Sequence, residues 1–388
     1  MLSLRDKLRA TQTAPRRPAP VRAAAQDCYV RETRFDLPEG TRLPDGMLSL
    51  MQGDPAIPHH VNPERLLFLD TETTGLSHGA GTVAFLVGVG EIENGELIVR
   101  QYLMRDYDEE PFVLRRVQQD LSACQALVTF NGRSFDMPLL QTRFVMQRMP
   151  FDSDRIPHAD LLHTARRVWK LRLKRCNLGT LEELIFHEPR EDDLPGAEVP
   201  QRYFDYLKQH DFALLEDILK HNAQDIASLA RLLFRLCRLH ENPLSAEHLQ
   251  DIYSLGRVYE KRGRQETARM CYRAADAGSM SALSRERLAD SLRREKRPRD
   301  AADIYEKMIA SRQGGVKPYI ALAKLLEHRL GNPEAAATVA RRGLLYLSDL
   351  PEGSFQQADF EDLSRRYARL LQKTHPQGRS CVDDPGLC

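Results

Sequence analysis

The sequence predicts an α/β sheet with helices on its faces, followed by an all-α repeat domain. Three observations predict it: consecutive apolar, strand-like runs from Leu66; alternating strand and helix patterns as far as about Leu239; and a recurring helical motif beyond about residue 245. At 388 residues the chain exceeds what one core usually organises, so two folded units are expected.

Residues 1–25 carry Arg5, Lys7, Arg9, Arg16, Arg17 and Arg22 among prolines, a composition too poor in apolar surface to order itself. They read as a disordered basic arm, either a solvated tail or an electrostatic tether, and residues 26–63 as an N-terminal extension. From Leu66 the apolar run LLFL ends in Asp70. VAFLVGVGEI and ELIVRQYLM follow, separated by Glu93-Asn94-Gly95, and Asn-Gly is a strong hairpin signal. Three consecutive antiparallel strands are expected there. Next come a helix from Pro111 to about Ala123, the strand ALVTF, a helix from about Met137 to Met149, a short strand near Ile156, and a helix around Leu214 to Leu239. These elements set the bounds of an α/β domain at 64–242.

Past it the strands stop. Leu255-Gly256, Tyr259, Ala268, Tyr272 and Ala275 recur as Leu288-Ala289, Leu292, Ala301, Tyr305 and Met308, and again as Leu322-Ala323, Leu326, Ala335 and Val339. The period is about 33 to 34 residues, and small residues at helix crossings with aromatics one turn later resemble the tetratricopeptide repeat, in which helix pairs stack. Residues 244–372 are expected to form this repeat domain, and 373–388 a disordered tail.

Lys plus Arg number 56 against 55 for Asp plus Glu, so no global positive field marks a nucleic-acid partner and any such partner must be held by local patches. Seven scattered cysteines without CxxC spacing argue against a zinc site or a disulfide framework and fit a reducing cytoplasm. No signal-peptide core and no membrane span is visible, so a cytoplasmic location is expected.

Asp70-Thr71-Glu72 closes an apolar strand, and strand alternation puts Asp70 and Glu72 on one face, about 7 Å apart. Two such carboxylates need a cation, and an all-oxygen donor set suits Mg²⁺ or Mn²⁺ rather than zinc. Asn131-Gly132-Arg133-Ser134-Phe135-Asp136 follows the strand ALVTF and puts Asp136 in the first turn of a helix, where the dipole favours a carboxylate. His221-Asn222-Ala223-Gln224-Asp225 lies within a long amphipathic helix, and a spacing of four sets His221 and Asp225 on one face. Singly, each has a plain reading as a solvated pair or a helix-start carboxylate.

Together, in the order DxE, NGxxFD, then imidazole and Asp on a helix, they resemble the DEDD exonuclease superfamily, which includes polymerase proofreading domains. The string LLFLDTETTGL with AFLVGVG is similar to its YprB-type ribonuclease-H-like branch. The resemblance covers about residues 64 to 240 and implies an α/β ribonuclease-H-like mixed sheet with flanking helices. It also implies 3′→5′ exonuclease activity, two divalent metal ions (Mg²⁺ or Mn²⁺) held by Asp70, Glu72, Asp136 and Asp225, and His221 as general base. Substrate contacts are implied for the flanking Thr71, Thr73, Gly75, Leu76, Asn131 and Phe135. His221 stands four residues before Asp225, a spacing that members with a tyrosine use. Two metals of this kind clamp the scissile phosphate, activate water and stabilise the leaving 3′-oxygen, releasing 5′-monophosphates.

The segment Ala165 to Arg175, ARRVWKLRLKR, carries Arg166, Arg167, Lys170, Arg172, Lys174 and Arg175, either for phosphate contact or as a solvated basic helix face. Trp169, the only tryptophan, either stacks on a base or belongs to the core. Asp160 is expected to act no closer than behind the metal ligands. The expected partner is nucleic acid, a single-stranded 3′ end, with a protein partner at the repeats and no membrane. Two other readings stay open: a weak or inactive adaptor that binds nucleic acid and recruits proteins through its repeats, and an endonuclease on the same fold.

Overall fold

The computed structural model describes residues 27–38, 41–75, 81–190, 194–351 and 356–374. Along the chain, β1 (Tyr29–Asp36) precedes α1 (Met47–Gln52), then β2 (Leu66–Thr73), β3 (Ala84–Glu93) and β4 (Glu96–Leu103). Next come α2 (Glu110–Ala123), β5 (Ala126–Thr129), α3 (Asp136–Met146), β6 (His158–Asp160) and α4 (Leu161–Trp169). Helices α5 (Val199–Gln209) and α6 (Ala213–Glu241) follow. The described residues beyond them are helical: α7 (Leu249–Lys261), α8 (Gln265–Ala274), α9 (Ser281–Arg294), α10 (Pro298–Ala310), α11 (Lys317–His328), α12 (Pro333–Ser348) and α13 (Gln357–Thr374).

The strands form one mixed sheet in the order β1-β4-β3-β2-β5-β6. Strands β2, β3 and β4 are antiparallel neighbours as the sequence predicts, and Asn94 (φ 52°) and Gly95 (φ 87°) make the two-residue turn between Glu93 and Glu96. β2 also pairs in parallel with β5, Leu66 beside Ala126 and Phe68 beside Val128. Their carboxyl ends therefore point the same way, and the loop leaving β5 lies next to the end of β2. β2 and β3 read as near-continuous apolar runs because both faces of the central sheet are covered.

Contacts group the chain into two compact units: residues 1–38, 62–158 and 190–230 in one, residues 39–61, 159–189 and 231–388 in the other. In the first, α2 contributes Val113, Val117 and Leu121, and α3 contributes Leu140 and Phe144, to one buried cluster with Leu67, Leu69 and Val87 of the sheet. Tyr203 of α5 stacks on Phe85 at 3.9 Å between ring centroids and donates its hydroxyl to the Met104 carbonyl at 2.9 Å. In the second unit the helices from α7 to α13 each pack on the next. Ala268, Ala289, Ala301, Ala323 and Ala336 are fully buried there, small side chains that let helix axes approach closely. Among the described residues no helix is long and apolar enough to cross a membrane, and Cys28, Cys124, Cys176, Cys237 and Cys271 are free thiols.

Candidate active site

Alternation along β2 sends Asp70 and Glu72 to one face and Thr71 to the other. Beyond β5 the chain reverses through Asn131, whose φ of 70° is a left-handed conformation that asparagine tolerates. Gly132 follows because a Cβ there would lie 2.5 Å from the Thr129 hydroxyl oxygen. The turn delivers Asp136, buried, to the first turn of α3, where its carboxylate accepts the Thr71 hydroxyl at 2.5 Å. Thr71, Glu72, Thr73, Gly75, Phe135 and Asp136 all line one cleft of about 260 Å³, and Phe135 presents an exposed ring to it.

Helix α6 reaches the Asp70 face because β3 carries glycines there. Asp70 pairs with Gly88 and Phe68 with Gly90. A Cβ on Gly88 would stand 2.2 Å from the Asn222 side-chain oxygen, and one on Gly90 would stand 2.6 Å from Ile226 Cγ2. Asn222 and Ile226, one turn apart on α6, fill those two gaps. Asn222, fully buried, donates to the Asp70 carboxylate at 3.0 Å and accepts from Gln101 at 2.9 Å, so its amide is fixed at both ends. Sequence reasoning passed over Asn222 and Gly88; the GxG in AFLVGVG was the available signal.

A stability cycle tests that fit. Gly88→Ala is expected to cost about 1–3 kcal/mol, as overpacking of a buried site does. Asn222→Ala is expected to cost a similar amount, because Gln101 and Asp70 lose a buried partner. The double variant should cost less than the sum, since alanine at 222 removes the atoms the new methyl meets. Urea denaturation of the four proteins reads this coupling; strict additivity would mean that Asn222 does not sit against Gly88.

Three other acids act on the charge of Asp70. Burial, then the charges of Asp225, Asp136 and Glu72, push the Asp70 carboxyl well above the ordinary carboxylate range, and the Asn222 bond pulls only weakly the other way. His221 stands between acids, its Nε2 3.9 Å from Glu72 Oε1 and 3.7 Å from Asp225 Oδ2. Arg190, which the sequence reading did not select, pairs with the Asp225 carboxylate and donates to His221 Nδ1 at 3.3 Å. That assignment leaves the imidazole neutral, with its proton on Nε2. Among the described residues, no three acidic, imidazole or thiol side chains are set closely enough to ligate one ion as they stand. The donor chemistry nonetheless fits a divalent cation. All four acids are hard oxygen donors, and the crowding that raises the Asp70 carboxyl is of the kind a cation relieves.

Over 324 residues the chain is 31% identical to the protein named uncharacterized protein YprB of Bacillus subtilis (strain 168), spanning 80% of this chain and 76% of that one. The chain belongs to the YprB family. Residues 67–237 of this YprB-family chain also match the RNase H superfamily model, a span that contains Asp70, Glu72, Asp136, His221 and Asp225. The solved family B DNA polymerase from the hyperthermophilic archaeon Pyrobaculum calidifontis is similar at a TM-score of 0.36 and 16% identity, over 52% of this chain and 29% of that one.

The remaining candidates of the YprB-family chain divide. Leu76 lies outside the described residues, as does the basic arm. Asp160 is 1% exposed and caps α4, accepting from the Leu162 amide at 3.1 Å. Trp169 is 1% exposed, so it is a core side chain and no platform for a base. Arg172 is committed to Asp251 through paired contacts of 2.8 and 3.1 Å, and Arg167 donates to the Met51 carbonyl at 2.7 Å. Arg166, Lys170, Lys174 and Arg175 are exposed.

Proposed function

We propose that this YprB-family protein is a metal-dependent 3′→5′ exonuclease that hydrolyses phosphodiester bonds of DNA or RNA. The observation that carries the reading is the charge crowding on Asp70 by Asp225, Asp136 and Glu72 within the span matched by the RNase H superfamily. The order of these acids along the chain supports the exonuclease form. In this reading Asp70, Glu72, Asp136 and Asp225 hold two Mg²⁺ or Mn²⁺ ions, which when bound activate water and stabilise the leaving 3′-oxygen.

The protein's own residues do the rest. Thr71 holds Asp136 and Asn222 holds Asp70, so the acids meet substrate in fixed orientations. Phe135 offers its exposed ring to the terminal base. Thr73 and Gly75 shape the cleft wall, and the Asn131 turn aims Phe135 and Asp136. His221 takes the proton of the attacking water. The helix pairs beyond α6 carry the tetratricopeptide-like reading, a module for holding a partner.

End-labelled single-stranded DNA and RNA, incubated with the full chain and Mg²⁺ or Mn²⁺, test the reading. The expected product is a ladder shortening from the 3′ end, with release of 5′-monophosphates. Cleavage of closed circular single strands would replace the exonuclease reading with an endonuclease one. Absence of any metal-supported cleavage would leave the adaptor.

A further inference from the structure

The second unit contains a cavity of about 360 Å³ whose rim is cationic. Arg166 and Lys170 stand four apart on and just beyond α4, and Arg257 and Lys261 stand four apart on α7, so each pair shares one helix face. All four are exposed, and among the described residues none forms an ion pair with a carboxylate; Lys170 donates only to the Lys174 carbonyl, at 3.0 Å. Neighbouring acids are already engaged: Asp251 with Arg172, Glu260 with Arg294 and the Tyr272 hydroxyl. Arg167 also lines the cavity, and its Nε is buried without a hydrogen-bond partner. Its guanidinium is held below the ordinary arginine value by burial and by the charge of Arg262. The half-exposed Leu171 lines the same cavity.

Like charges four apart on a helix repel, and here two such pairs face one cavity without an internal anion. We infer that this groove binds the phosphate backbone of single-stranded nucleic acid, with α7 of the helical region supplying half of the grip. A chain whose net charge is only +1 gains no such binding from its overall field, so the local cluster must provide it. An apolar Leu171 in a cation-lined cavity suits sugars and bases that accompany the phosphates. The inference rests on the nuclease reading for the identity of the polyanion, and it extends substrate holding to a region that reading treats as a partner module.

The test is fluorescence anisotropy of labelled oligo(dT) and oligo(rU), about 20 nucleotides long, against the full chain in EDTA over a series of KCl concentrations. Arg166→Glu with Arg257→Glu is expected to weaken binding at least about tenfold. It should also reduce the log–log salt slope by about 1.4, roughly 0.7 for each lost single-strand contact. Arg299→Glu with Arg341→Glu changes the charge equally on exposed residues outside the groove and should leave both quantities unchanged. Circular dichroism checks folding, and the milder Arg166→Gln with Arg257→Gln replaces the reversal if helix content falls. Unchanged affinity and slope, an equal loss in the control, or competition by poly-L-glutamate as strong as by oligonucleotide would each overturn the groove. Failure of the nuclease reading looks different: wild-type protein binds in EDTA yet cleaves nothing with Mn²⁺.

Discussion

Asp70→Asn is expected to lower metal-supported phosphodiester cleavage by about 10³-fold or more, while leaving the fold intact. A metal ion contributes several kcal/mol of transition-state stabilisation, and about 4 kcal/mol corresponds to three factors of ten. Asp70 is the acid on which the charges of Asp225, Asp136 and Glu72 act, so its loss is felt by all three. Rates under single-turnover conditions with Mn²⁺ check this; full activity in a protein carrying Asp70→Asn and Glu72→Gln would sink the site. A second measurement needs no catalysis. A carboxyl whose pKa rises on folding stabilises the folded state below its unfolded value, and that contribution is lost as pH rises through its folded value. Metal-free protein should therefore lose stability as pH climbs from the ordinary carboxylate range, near 3.8, through the raised value of Asp70. Asp70→Asn should remove that loss, and urea midpoints in EDTA at several pH values read it. Identical pH profiles for the two proteins would mean that the acids do not crowd Asp70.

What the sequence made legible follows from range. β2, β3 and β4 are apolar runs, β3 and β4 being joined by the Asn94-Gly95 turn, and DxE, Asp136 and the His221–Asp225 spacing are local patterns too. β1, YVRETRFD, escaped because its burial alternates only between half-buried and exposed, and much of its cohesion comes from β4. Arg34 reaches Glu96 there, and Arg100 reaches Glu32, pairs no one-dimensional pattern announces. Asn222 was in plain view between His221 and Asp225, but its role depends on Gly88 lying across the sheet. Arg190 belongs to a stretch without periodicity, and its partner Asp225 is 35 residues away. The basic segment was legible as charge, not as structure: Arg172 looked free until Asp251, 79 residues on, came beside it. The same limit applies to the units, since residues 39–61 and 159–189 group with the distant helices and no single cut in the sequence separates the two.

His221→Ala is expected to reduce the cleavage rate by roughly 10² to 10⁴, the usual worth of a positioned general base. The geometry adds a condition that the sequence did not contain. Nε2 is the atom that faces Glu72 and Asp225, and with Arg190 donating to Nδ1 it carries the imidazole proton. To accept a proton from water at Nε2, the ring needs its other tautomer, with hydrogen on Nδ1, so Arg190 must withdraw from it when substrate enters. Arg190 then acts on the base as a neighbouring cation that opposes its protonation. Two outcomes follow for the pH dependence of single-turnover cleavage. In His221→Ala the acidic limb of the profile should disappear, because the group whose protonation stops the reaction is gone. In Arg190→Gln the limb should persist but move to higher pH, because removing the cation makes the imidazole easier to protonate. A limb that stays in place in both variants, with turnover near wild type in the first, would assign the proton to another group and leave His221 as a spacer between Glu72 and Asp225.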